Sequence, residues 1–331
     1  MGIDYKNSGV DLEAAEASTK KISELADATK NKNVLSGIGL FSGFYAIDLN
    51  QYKKPVVVTS IDGVGTKLKI AFAMEKHDTV GRDLVNHCVN DIMTSGADPV
   101  AFTDYIGTVD LNPEVIKEIV KGMALACKEN SCALVGGETA EMPGFYSTGE
   151  YDLVGSIIGL VDHDNIITGE NIEKDDILIG CRSNGLHTNG YSLARKILQV
   201  NNIKFTDYVP ELESSWGEIL LKVHKSYLHS IQAVRNYSGL HGISHITGGG
   251  LEGNTKRLLK NLDITIDWQS WTVPAEFKLL QNYGQISNEE MRRTFNLGIG
   301  LVFVVAKNAV SDVVEKLKSS NENPIVIGKV I

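Results

Sequence analysis

At 331 residues the chain is too long for one ordinary hydrophobic core, so two domains are expected. Its 43% hydrophobic and 22% charged residues are the make-up of a soluble globular protein. The net charge of −9 argues against sequence-independent binding to nucleic acid or an anionic membrane, both of which ask for a basic surface.

The opening stretch, MGIDYKNSGVDLEAAEAS, is polar and acidic and does not read as a secretory signal. MGIDYK also lacks the Ser/Thr that a myristoylation signal carries at its sixth position. No apolar run nears the roughly 20 residues that span a bilayer, and cytoplasm is the expected compartment. Cys88, Cys127, Cys132 and Cys181 include no CxxC pair and are expected to be reduced, mostly buried small hydrophobes.

In chain order, an acidic helix is expected over about 11–29, followed by the loop SGIGLFSGF. A strand over 55–61, begun by PVVV, delivers TSIDGVGTKLK at its end. VGRDLVNHCVNDIMTSGADP reads as a helix from about 79, stopped by Gly96 and Pro99. The strand PVAFTDYIG and a helix from Pro113 to about Asn130 come next, then two glycine-bounded strands, ALVGGE and LVGSIIGLV. Charge and turn residues concentrate in 162–176, which divides the chain into domains 1–165 and 166–331. The second half opens with the strand DILIGC. It then alternates helices (about 189–200, 216–236, 251–260, 275–283, 308–319) with strands (about 262–267, 298–306, 325–330). Both halves are mixed α/β, and neither has the regular βαβ period of an all-parallel sheet.

Four stretches pair glycines with acids, amides or histidine at element ends. In Asp62-Gly63-Val64-Gly65-Thr66-Lys67 the spacing differs from the common GxxxxGK[ST] phosphate loop. Glycines still allow close approach to main-chain N–H groups, Lys67 offers a point charge and Asp62 a hard oxygen ligand. Along the next helix Asp83, His87 and Asp91 recur every four residues and share one face, with Asn86 and Asn90 beside it. His87 by itself reads as a hydrogen-bonded helix histidine rather than a metal ligand. In LVGGETAEMPG a strand ends at Gly136-Gly137-Glu138 and aims Glu138 off the sheet, with Glu141 as the competing acid. In SNGLHTNGYSLAR, His187 lies on a glycine-flanked loop before a helix, a place suited to anion binding or proton transfer. HITGGGLEGN and RRTFNLGIG are weaker signals: a triple glycine entering a helix, and Arg293 and Asn296 entering a strand.

Taken in order, DGVGTK, CVNDI, SGADP, GGETAEMPG, HTNGYSLAR, HITGGG and RTFN-GIG resemble the phosphoribosylformylglycinamidine cyclo-ligase family, the aminoimidazole ribonucleotide synthetases. With YKNSGVD near the start and IGKVI at the end, the resemblance spans essentially the whole chain. It implies a two-domain α/β fold whose N-terminal sheet forms a homodimer interface. It also implies ATP-dependent conversion of formylglycinamidine ribonucleotide to aminoimidazole ribonucleotide, ADP and phosphate, in purine synthesis. ATP would phosphorylate the formyl oxygen, and a neighbouring nitrogen would then close the ring and expel phosphate. Such chemistry is mostly positioning and charge neutralisation.

By the same resemblance Asp62, Asp91 and Glu138 are the Mg²⁺ acids, expected to meet in one crevice. Gly63, Gly65, Thr66, Lys67, Asn90, Gly136 and Gly137 belong to the nucleotide site. His187 and Asn184 face the same cleft from the second domain; the role of proton shuttle is expected of His187 from its own chemistry rather than from the resemblance. Gly248, Gly249 and Gly250 take the substrate phosphate. Some relatives carry a nucleotide-associated lysine near the end of the first helix. Here Ser23 falls at that point after Lys20 and Lys21, so that role does not carry over.

Related ATP-dependent enzymes, selenophosphate synthetase and thiamine-monophosphate kinase, are the rival readings. The first would want an early reactive cysteine, but the earliest is Cys88. A hydrogenase-maturation relative would end in cysteine, whereas this chain ends in Lys-Val-Ile. A silent nucleotide-binding regulator would be expected to have lost a metal acid, and all three are present.

Overall fold

The computed structural model describes residues 12–331. The Tyr5–Asp11 motif lies outside the described residues. The chain packs as two units. One runs to Ile92 and resumes over Asp98–Asp162; the other takes Met93–Ala97 and His163–Ile331.

The first unit comprises α1 (Leu12–Asp27), β1 (Pro55–Gly63), α2 (Leu68–Ala73), α3 (Asp78–Met93), β2 (Asp98–Thr108), α4 (Pro113–Glu129), β3 (Ala133–Glu141) and β4 (Tyr151–Asp162). Its sheet has the order β1-β4-β2-β3; β4 is antiparallel to both neighbours, and β2 and β3 run parallel. The parallel pair needs a crossover, which α4 supplies. That helix begins where it does because Pro113 fits its first position and the Asn112 side chain accepts from the Glu114 and Val115 N–H groups.

One sheet face carries the core. Phe102 and Ile157 are fully buried there, and a side chain at Gly155 would strike Phe102 and Leu84 of α3. The other face is open along β1, where burial alternates and Val57 and Ile61 are exposed, with Ile158 of β4 beside them. α3 and α4 cross at a pair of glycines. A Cβ on Gly81 would sit 2.1 Å from the Ile119 carbonyl, and one on Gly122 would sit 2.1 Å from the Asp78 carbonyl.

The second unit comprises β5 (Ile177–Arg182), α5 (Tyr191–Val200), the short ladder of β6 (Tyr208–Val209) and β7 (Ser214–Ser215), α6 (Trp216–Leu220) and α7 (Leu228–Val234). It continues with β8 (Leu240–His245), α8 (Gly250–Lys256), β9 (Ile264–Ile266), α9 (Ala275–Gly284), α10 (Asn288–Thr294), β10 (Ile299–Val305), α11 (Val310–Ser319) and β11 (Ile325–Val330). Its sheet, β8-β10-β5-β11-β9, is antiparallel throughout. Every residue of β10 is buried, so the sheet is covered on both faces, as its unbroken apolar run IGLVFVV requires.

The helix expected over 216–236 is interrupted between Leu221 and Tyr227. In the break the Tyr227 hydroxyl donates to the Arg182 carbonyl (2.8 Å), and the Lys225 ammonium pairs with Glu322 (2.7 Å). Tertiary partners there outweigh local helix preference. All four cysteines are buried free thiols, Cys88, Cys127 and Cys132 in the first unit and Cys181 in the second.

Candidate active site

The polar stripe of α3 lies against the end of β1 and meets it in three successive contacts. Asp83 holds the Lys67 ammonium at 2.8 Å, His87 Nε2 lies 3.0 Å from Asp62 Oδ2, and the Ser60 hydroxyl donates to Asp91 (3.4 Å). The alternation of β1 turns Ser60 and Asp62 toward the helix, and the four-residue spacing of Asp83, His87 and Asp91 turns all three toward the strand. Asp91 Oδ2 is also 4.0 Å from His87 Nε2, so two carboxylates flank one buried imidazole. Burial works against the imidazolium, yet Asp62, Asp91 and Asp83 together hold His87 above its ordinary pKa. Between Asp62 and Lys67 the chain makes a tight turn. The Gly63 N–H donates to Asp62 Oδ1 (2.7 Å), and Gly65 takes φ +68° with open space where a side chain would stand.

Three sequence expectations change here. Lys67 is wholly buried and paired with Asp83, so its ammonium is turned into the unit rather than toward a phosphate. Asn90 is fully buried on α3, and Asn86 accepts from the Asn130 amide (2.8 Å), so this second stripe faces the interior. Glu138 does not join Asp62 and Asp91. Register runs Asp62, Gly155, Asp104, Gly137 across the sheet, and three strand spacings amount to roughly 14 Å. Glu138 is also one residue past Gly137, which turns it to the opposite face.

Gly136, Gly137 and Glu138 instead line a cavity of about 470 Å³ at the β3 edge, together with α1, the glycine-bearing loop 37–43 and Asp104. A Cβ on Gly137 would lie 2.4 Å from Asp104 Oδ1, so this glycine makes room for that carboxyl. Burial pushes the Asp104 carboxyl up to about 7. Nothing in FTDYIG marks it; only strand register places it there. Glu141, the competing acid, accepts from the Leu111 N–H (3.2 Å).

In the second unit His187 has φ +62° and is fully buried. Its Nε2 accepts the Asn184 N–H (3.1 Å), and its ring stacks on His224 at 4.0 Å. His224 Nε2 in turn lies 3.0 Å from His245 Nε2, and the Thr188 hydroxyl lies 3.3 Å from His224 Nδ1. The residue expected as proton shuttle is thus an enclosed ring whose Nε2 already accepts from the backbone. Asn184 is committed as well, donating to the Val223 carbonyl (3.0 Å). The three imidazoles bring nitrogens within 4.8 Å of one another, but the two stacked planes, 18° apart, direct their lone pairs side by side rather than to one point. Sequence reasoning missed His224, which lies in no motif, and met His245 only as the start of HITGGGLEGN, without its link to His187.

The Gly248–Gly250 turn is braced from inside: the Asn254 amide donates to the Thr247, Gly248 and Gly250 carbonyls. Gly250 is required for packing, since a Cβ would stand 1.8 Å from the Arg292 carbonyl. Asn296 likewise supports the His187 loop, bonding Ser183 and the Gly185 carbonyl, each at 3.0 Å.

Family models for the AIR synthase related protein match both halves, the N-terminal domain over residues 45–161 and the C-terminal domain over 173–331. A phosphoribosylformylglycinamidine cyclo-ligase of Thermodesulfovibrio yellowstonii is 46% identical over 331 residues, covering 99% of this chain and 96% of that one. The chain belongs to that cyclo-ligase family. A second cyclo-ligase, from Geotalea daltonii, is 47% identical over 330 residues and covers 99% and 95% of the two chains.

Solved structures carry the fold beyond the cyclo-ligases. The hydrogenase maturation protein HypE of E. coli superposes with TM-score 0.68 at 18% identity, covering 94% of this chain and 90% of that one. Thiamine-monophosphate kinase of Stenotrophomonas maltophilia gives 0.69 at 16%, covering 95% and 93%. A HypE structure in complex with ATP gives 0.68 at 17%, covering 95% and 86%. Among the described residues no helix is long and apolar enough to cross a membrane.

Proposed function

We propose that the chain closes the imidazole ring of aminoimidazole ribonucleotide, using ATP and formylglycinamidine ribonucleotide and releasing ADP and phosphate in purine biosynthesis. The observation that carries the site assignment is the convergence of Asp62 and Asp91 beside the Asp62–Lys67 turn. Two carboxylates, Asp62 at the end of β1 and Asp91 on the facing α3, near the open space at Gly65, are the hard-oxygen donor set that Mg²⁺ takes. Asp62 and Asp91 would hold the ion, which when bound neutralises phosphate charge during phosphoryl transfer. Main-chain N–H groups of Gly65 and Thr66 are assigned to phosphate oxygens.

We assign the cavity of about 470 Å³ at the β3 edge, with Gly136, Gly137 and Glu138, to the nucleotide. Its size suits a bound small molecule, and a protein of the same fold crystallises with ATP. The first unit is then the ATP, Mg²⁺ and dimerisation domain, and the second holds the ribonucleotide. Gly248 and Gly249 are assigned to the substrate phosphate, with His187 and Asn184 shaping the neighbouring loop. The open face bearing Val57, Ile61 and Ile158 fits the interface of a homodimer, and the compartment is the cytoplasm.

ADP release by the purified protein tests this reading. It should depend on formylglycinamidine ribonucleotide, with matched formation of the aminoimidazole product. Turnover indifferent to that substrate overturns the assignment.

A further inference from the structure

Lys67 and Asp83 form an ion pair with no exposed surface, at 2.8 Å. Burial pulls the Lys67 ammonium below its ordinary pKa, and the Asp83 carboxylate opposes that pull. Pairs of this kind add little to stability compared with well-packed apolar residues.

Asp83 and His87 are one turn apart on α3 and reach the two ends of one short segment, Lys67 and Asp62 respectively. Between those ends stands Gly65, the left-handed residue with open space above it. We propose that Lys67 and Asp83 are positioning residues: their buried pair, with His87 on Asp62, clamps both ends of the Asp62–Lys67 turn to α3 and pre-sets its main-chain N–H groups for a nucleotide phosphate. This rests on reading the turn as the cation and phosphate site. A segment pinned at both ends to one helix loses little further freedom on binding. Misplacement by about 1 Å at such a site lowers rate by about a hundredfold.

The double variant Lys67→Met/Asp83→Leu, made in the full chain, removes the pair without stranding a charge. Its thermal midpoint should stay within a few degrees of wild type, while kcat falls at least about tenfold. The Mg²⁺ concentration needed for half-maximal rate should rise. Lys67→Arg, which keeps the charge but changes its reach, should retain the fold with an intermediate loss. Wild-type kcat and wild-type Mg²⁺ dependence in the folded double variant overturn the proposal. If that variant does not fold, unchanged kinetics in Lys67→Arg overturn it instead. Asp62→Asn separates the two claims: full activity there removes the cation assignment, whatever the double variant does.

Discussion

Asp104 shows how much one side chain's surroundings can alter its chemistry. It sits against Gly137 at the wall of the β3-edge cavity, and burial carries its carboxyl up to about 7. In the unfolded chain the same group ionises near pH 4. Between those pH values the folded chain binds the extra proton, so this residue's contribution to stability declines as pH rises through the window. The full effect would be about 4 kcal/mol above pH 7, and the partial exposure of Asp104 reduces it to about 1–2 kcal/mol. Asp104→Asn should therefore gain thermal stability over wild type at pH 8 and little at pH 4. Melting curves that shift in parallel across that range would remove burial as the cause.

Individual residues were legible where periodicity fixes a direction. Asp83, His87 and Asp91 share a face because a helix demands it, while the partners they meet are set by the packed fold. Lys67 was not legible: its long stem can turn either way from a glycine turn, and only the packed fold shows that it turns inward. Glu138 failed for a related reason, since strand order and a one-residue step decide both its distance from Asp62 and its face.

At the scale of elements, the height of α3 governs the candidate site, because Asp83, His87 and Asp91, which meet Lys67, Asp62 and Ser60, all come from that helix. Its seating depends on backbone meeting backbone at Gly81 and Gly122. Gly81→Ala forces a methyl group against the Ile119 carbonyl, which cannot swing aside as a side chain could. A loss of about 1–3 kcal/mol is expected from overpacking, read as a lowered urea midpoint with unchanged slope. A midpoint equal to wild type would mean that the helices separate freely.

Strands bounded by glycine and helices with clear caps were readable from sequence; α4, marked by Asn112-Pro113, is the plainest case. β8 was not, because LHGISH lacks a regular apolar alternation and is held by its neighbour β10. The broken helix at 221–227 was hidden too, since Tyr227 and Lys225 answer to partners far along the chain.

For the whole molecule, the sheet face that the described residues leave open is the surface on which the proposed homodimer would rest. Val57 is 59% and Ile158 41% exposed on neighbouring strands, an apolar surface that water does not favour. The wild-type protein should sediment at twice the chain mass, and Val57→Asp/Ile158→Asp should bring it to the single-chain value with secondary structure retained. A wild-type protein that sediments as a single chain removes the homodimer.

The distribution of sulfur has a practical consequence. Burial raises the Cys88 and Cys181 thiols well above their ordinary range, and neither these two nor Cys127 and Cys132 reaches the surface. A thiol kept protonated and enclosed does not react with alkylating reagents. Three such silent tags report on one half of the polypeptide and a single one on the other. The order in which they become labelled in mild denaturant therefore records which half opens first, without any dye or engineered probe.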